Sequence, residues 1–191
     1  MKTTLEKIRG FGPCSDGWAK LIKNLGRSTG DVTLLEILDS NGARDAYWAL
    51  RCWDYREYCL LLANVAESVL PIWERSYPYD ERPRAAIEAV RAYRDDIGEA
   101  GRVDCSDAAH AAAAYTPIPS AASAASAASA ASINTVRACT TADAAAYAVG
   151  ADAHDRADAA DAAYARADAV AAQWQKNEQL MRDFLKVFAS G

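Results

Sequence analysis

The sequence predicts an all-α fold, a compact helical bundle or array with an alanine-rich C-terminal half, and three observations predict it. Apolar residues recur at helical spacing through the first half, helix caps and stops punctuate them, and no segment alternates apolar with polar residues long enough to argue a strand. The texture then changes near Cys105. Four of the five Trp and six of the nine Tyr precede it, whereas alanine supplies 33 of residues 105–191. The expected organisation is a helical core region over 1–104 and an alanine-rich helical region over 105–191 that packs on it as one continuous unit. At 191 residues the chain is long enough to bury a real core.

The elements follow in order. Thr4 is placed to cap a helix over Leu5 to Arg9 that Gly10 stops, and Ser15 or Asp16 to cap Gly17 to Leu25, with Gly26 in the left-handed position beyond it. Thr33 precedes Leu34-Leu35-Glu36-Ile37-Leu38, a short helix ended by Asn41-Gly42. Asp45 to Trp53 sets Ala46, Ala49, Leu50 and Trp53 on one stripe. From Tyr55 an apolar pattern runs through Leu61, Leu62, Val65, Val69 and Ile72. Pro71 must kink or restart that helix, because its ring collides with the preceding turn. Tyr77-Pro78 ends it. Asp80 then caps a helix with Pro83 in its first turn and Ala86, Ile87, Val90 and Ile97 on its buried side. Trp174 to Phe188 closes the chain as an amphipathic helix whose Trp174, Leu180, Met181, Phe184, Leu185 and Phe188 are expected to cover the core.

Charge and composition exclude several classes. A net charge of −5 argues against a basic nucleic-acid binder, which needs Lys and Arg to displace counterions from phosphates. No apolar run reaches the length of a membrane span, and no signal-peptide pattern opens the sequence. Five cysteines, an odd number at irregular spacing, read as free thiols in a reducing compartment. A cytoplasmic location follows as the expectation, with no direct nucleic-acid or membrane partner.

Two segments of the alanine-rich half stand out. Ser120, Ser123, Ser126, Ser129 and Ser132 recur every third residue, a step of about 300° on a helix, so they wind around it instead of lining one face. Such a segment reads as a close-packing helix or a loosely ordered linker, or else as a flat ice- or lattice-binding repeat. Farther on, Asp152, Asp155, Asp158, Asp161 and Asp168 are placed on one helix as an acidic side. That side is either a solvated face or an anionic surface imitating nucleic-acid phosphates in a partner's basic groove.

Catalytic and metal-binding patterns are sparse. His110 and His154 are far apart in sequence, and neither belongs to a ligand cluster. Cys52 and Cys59 would share a face if their helix were continuous, and they read as small core hydrophobes. Cys14 precedes a helix start, where the dipole favours a thiolate, but no histidine lies near it in sequence. Gly10-x-Gly12 lacks the strand and the third glycine of a dinucleotide site. The aromatic run Tyr47, Trp48, Trp53, Tyr55 and Tyr58 supplies either core fillers or interface anchors. No catalytic residue, cofactor or metal is expected.

Several motifs carry a family resemblance. They are Pro13-Cys14-Ser15-Asp16-Gly17-Trp18, the run Leu38 to Arg51 (LDSNGARDAYWALR), Val69 to Glu74, and Tyr77 to Ala89 (YPYDERPRAAIEA), with Gln173-Trp174-Gln175 near the end. In that order they resemble the immunity-protein family of bacteria and phages associated with polymorphic toxin systems. The resemblance covers residues 1 to 95 and the C-terminal helix, while the serine-alanine block departs from it. It implies an all-helical, non-catalytic protein that binds and neutralises a toxin or a defence effector. The alternative reading is a phage counter-defence protein, either anti-CRISPR-like or a nucleotide-sequestering sponge that would use Arg82, Arg84 and Arg91. Candidate partner-binding residues are Asp152, Asp155, Asp158, Asp161, Asp168, Trp48, Trp53, Arg82 and Arg84.

Overall fold

Two threonines organise the start of the chain. Each ends a three-residue strand and caps the helix that follows it. Strand β1 (Lys2–Thr4) pairs antiparallel with β2 (Asp31–Thr33), with Thr3 opposite Val32. Thr4 accepts from the Lys7 amide at the start of α1 (Leu5–Gly10), and Thr33 forms a reciprocal capping box with Glu36 at the start of α3 (Leu34–Asn41). Three-residue strands are shorter than any alternation a sequence can register, so this ribbon is an addition to the all-α expectation. The computed structural model describes residues 1–95, 118–132, 138–156 and 162–189. The expectations for Ile97, Cys105, His110, Asp158, Asp161 and the 104/105 boundary fall outside these.

Between the strands lies α2 (Ser15–Leu25). Its cap is neither Ser15 nor Asp16 but Cys14, whose Sγ accepts from the Gly17 amide at 3.4 Å. A thiol is a weak acceptor, and for that reason it is absent from the usual list of caps. Gly26 closes the helix at φ +64°, a conformation that costs glycine nothing. Helix α4 (Ala43–Ala49) gives way to a single 3-10 turn over Leu50–Cys52. The stripe Ala46, Ala49, Leu50 and Trp53 is buried as expected, but Cys52 and Cys59 belong to different elements.

Helix α5 (Tyr55–Glu67) is the centre of the core, and Tyr58, Cys59, Leu61 and Leu62 on it have no exposed surface. Pro71 restarts the chain as α6 (Leu70–Ser76), where a missing amide at the first turn leaves no bond broken. Helix α7 (Arg82–Asp95) follows, with the Asp80 carboxylate accepting from the Arg82 amide at 3.2 Å.

The serine-alanine repeat forms α8 (Pro119–Ser132), packed against α5, α6 and α7. Seven of its alanines and Ser120 are buried, so it is a close-packing element. Alanine buries little area, and its contribution is backbone-close contact, while the Leu, Ile and aromatic side chains of the first half supply most of the hydrophobic stabilisation. The Tyr55 hydroxyl donates to the Ala131 carbonyl in the last turn of α8, a group the helix itself cannot satisfy.

Helix α9 (Ala138–Arg156) packs between α8 and α10 (Ala162–Ala189), and α10 also meets α3, α4 and α5. The closing helix does not bury what its apolar residues suggest. Met181 is buried, Trp174, Leu180, Phe184 and Leu185 are partly covered, and Phe188 is 43% exposed. The buried stripe is Gln173, Asn177 and Met181, at four-residue steps and two-thirds polar.

Candidate functional site

The first two sequence motifs converge on one cavity. It lies between α1, α2, α3 and α4 and has a volume of about 150 Å³. Ile8, Leu21, Ile37 and Ala49 are its buried apolar lining, and the half-buried Trp18 and Trp48 line it as well. Pro13, Cys14, Gly17, Asn41 and Asp45 complete it, so the Pro13–Trp18 and Leu38–Arg51 motifs supply eight of the eleven lining residues.

The polar side is assembled by close approach. Asn41 Nδ2 donates to the Gly17 carbonyl at 2.8 Å and to Asp45 Oδ2 at 2.7 Å, tying α2, α3 and α4 together. A methyl group on Gly17 would meet Asp45 Oδ2 at 2.9 Å and Cys14 Sγ at 3.0 Å, so glycine lets carboxylate and thiol sit together. Asp45 lies in the first turn of α4. Among the described residues no Lys or Arg pairs with it, and Asn41 is its only hydrogen-bond partner. One face of Trp48 is covered by the Arg51 guanidinium, 4.0 Å from the ring centroid, and Arg51 does not line the cavity.

The other motif residues are consumed by the fold. Tyr47 donates to the Asn177 carbonyl at 3.0 Å, Asp39 pairs with Arg182 at 2.8 Å, and Arg44 pairs with Asp143 at 3.0 Å. Burial pushes the Tyr47 hydroxyl far up from its ordinary value, so it stays a neutral donor. In the Tyr77 to Ala89 motif, Tyr77 packs on Trp73 with ring centroids 4.6 Å apart, and the Trp73 indole donates to the Asp80 carbonyl at 2.9 Å.

The remaining sequence-derived candidates are dispersed. Arg82 is held by Asp80, Arg84 by Glu74 and Arg91 by Glu67, so each guanidinium of the supposed anion pocket already has a carboxylate. The acidic side is not carried by one helix. Asp152 and Asp155 lie on α9 and Asp168 on α10, while Asp158 and Asp161 are outside the described residues. Asp152 is 14% exposed and clamped by Arg75 at 2.9 Å and Arg156 at 2.6 Å. A helix-period count cannot see that one helix ends at Arg156 and another begins at Ala162, which is why five aspartates read as one face. Trp53 is a core residue, with its indole donating to the Lys2 carbonyl at 3.0 Å. Burial pushes the Cys52 thiol up, as suits an inert core cysteine. His154 is exposed near the end of α9.

A second concavity, an open groove of about 550 Å³, separates α5 from the end of α10, with Leu60, Phe184, Val187 and Phe188 along it. None of the quoted motifs reaches it. Sequence reasoning singled out Trp48 but passed over Trp18, Asn41 and Asp45 as site residues. Their recurrence in the two motifs was the available signal. Among the described residues no three His, Cys, Asp or Glu side chains cluster as metal ligands, and no helix is long and apolar enough to cross a membrane. Compared with protein-family models, curated proteins and solved structures, the chain matches none.

Proposed function

We propose that this chain is a non-catalytic binding protein of the immunity or inhibitor type, which protects its bearer by holding a toxin or defence effector. One observation carries the reading. Two motifs separated in sequence meet at a half-open cavity and place there two half-buried tryptophans and a carboxylate that no described Lys or Arg pairs with. Interfaces draw most of their energy from a few anchors seated in such pockets, with Trp prominent among them. The family resemblance of the same motifs points the same way. The counter-defence alternative needed a continuous acidic face or unpaired arginines, and the pairing of Asp152, Arg82, Arg84 and Arg91 favours neither.

The test is retention of a partner from extracts of the native host on immobilised protein, followed by co-expression of the retained protein with and without this chain. The expected result is a stoichiometric partner whose toxicity or effector activity is suppressed by the wild-type chain. Retention should weaken at least tenfold with Trp48→Ala. A Trp48→Ala protein that melts like wild type and retains the partner equally well contradicts the reading.

A further inference from the structure

We infer that the cavity between α1, α2, α3 and α4 is a binding site for an alkylammonium group. Size sets the first limit. About 150 Å³ is the volume that accepts a benzene-sized group, enough for a short alkyl chain with a compact head. The lining sets the second. Ile8, Leu21 and Ile37 are buried apolar side chains suited to methylenes, and they leave no partner for a polar stem.

Charge sets the third limit. Among the described residues Asp45 is the only formally charged one that lines the cavity, and no cation pairs with it. An anion would meet that carboxylate, whereas a cationic head would complete it. Asn41 has both its amide protons committed, to Gly17 and Asp45, so it does not compete as a donor for Asp45's second oxygen. Trp18 and Trp48 line the cavity, Trp48 with one face already taken by Arg51, and an ammonium held near an indole gains cation–π attraction when partly desolvated. A bare metal ion would find few ligands among the described lining residues: Asp45, Cys14 and the Asn41 side-chain oxygen, which already accepts from Ser40. An ammonium, with three donors, needs only the carboxylate and the rings. The group has two possible sources, a free small amine or a lysine side chain offered by a bound protein. The second source rests on the binding-protein reading above, and the cavity chemistry is the same for both.

The test is a titration followed by ¹H–¹⁵N NMR of the full chain, reading the Gly17 and Asn41 amides and the Trp18 and Trp48 indole N–H signals. The probes are n-butylammonium, its neutral counterpart n-butanol, and the blocked peptide Ac-Ala-Lys-Ala-NH2. Saturable shifts confined to these signals are expected with at least one cationic probe, and butanol should bind at least tenfold more weakly. Asp45→Asn, which keeps the side-chain shape, should lose at least tenfold in ammonium affinity. Tighter binding of the peptide assigns the site to a protein lysine, and tighter binding of butylammonium assigns it to a free amine. Either supports the inference. Equal binding of butanol and butylammonium overturns it on the wild-type protein alone, even if Asp45→Asn does not fold. Silence of both cations overturns it as well. Partner retention that survives such silence leaves the binding-protein reading standing, so the two failures are distinct.

Discussion

Asn177 is the centre of a polar network that ties α10 to its neighbours. It is fully buried, donates to the Ala142 carbonyl at 3.2 Å, and accepts from Gln173 at 2.9 Å, while Gln173 reaches Ser68 at 3.0 Å and Tyr47 donates to the Asn177 backbone. Such a network fixes the register of α10 against α4, α5 and α9 in a region where alanines alone would slide. Asn177→Ala removes one of the two acceptors of the Gln173 amide and the cavity it leaves is polar, so thermal or urea unfolding should show a loss of about 2–3 kcal/mol. Tyr58 is the contrasting case. Its hydroxyl is buried without a hydrogen-bond partner among the described residues, and Tyr58→Phe should leave stability unchanged or raise it. Periodicity located both residues on helices but could not reveal these roles. Asn177 falls on the core face of α10 at the spacing of Gln173 and Met181, yet a search for apolar stripes skips it.

At the scale of elements, the first-half helices were legible because their ends are written in local chemistry. Thr4, Thr33, Gly26 and Pro71 each act where their side chain or backbone dictates. Glu36 makes one such end testable. The Thr33 amide and hydroxyl, 2.7 and 2.8 Å from Oε2, hold its carboxyl below the ordinary 4.5, and Arg27 adds to this. A depressed folded value means the cap stabilises fully above that ordinary value and is lost as pH falls through the folded one. The melting temperature of wild type should therefore fall more steeply below about pH 4.5 than that of Glu36→Gln, with the two curves parallel near neutrality. In the alanine-rich half Pro119 opens α8 as Pro71 opens α6, and contacts between helices decide much of the rest. A methyl group on Gly150 would meet Val170 Cγ2 at 2.6 Å and Arg166 Cγ at 3.3 Å. Gly150→Ala should accordingly destabilise, by about 1–2 kcal/mol, although alanine is the better helix former by about 1 kcal/mol. A gain in melting temperature would show that α9 and α10 are not in close contact there.

For the whole molecule, the division of labour follows from side-chain size. The first half contributes the large buried side chains and the cavity, and α8 to α10 close around it with small residues and a few polar ties. The all-α class was readable from spacing and caps, but the site was not. Asn41, Asp45 and Trp18 meet only because α2, α3 and α4 fold back on one another, and a linear sequence gives each of them a sufficient local explanation. Among the described aspartates that sequence spacing had grouped, Asp152 and Asp155 belong to one helix and Asp168 to the next. The most direct measurement is hydrogen–deuterium exchange of the chain alone and bound to the partner it retains. The binding-protein reading predicts added protection in residues 13–21 and 41–51, around the cavity, with little change near Asp152 and Asp155. Protection concentrated at the end of α9 and the start of α10, with the cavity segments unchanged, would contradict it.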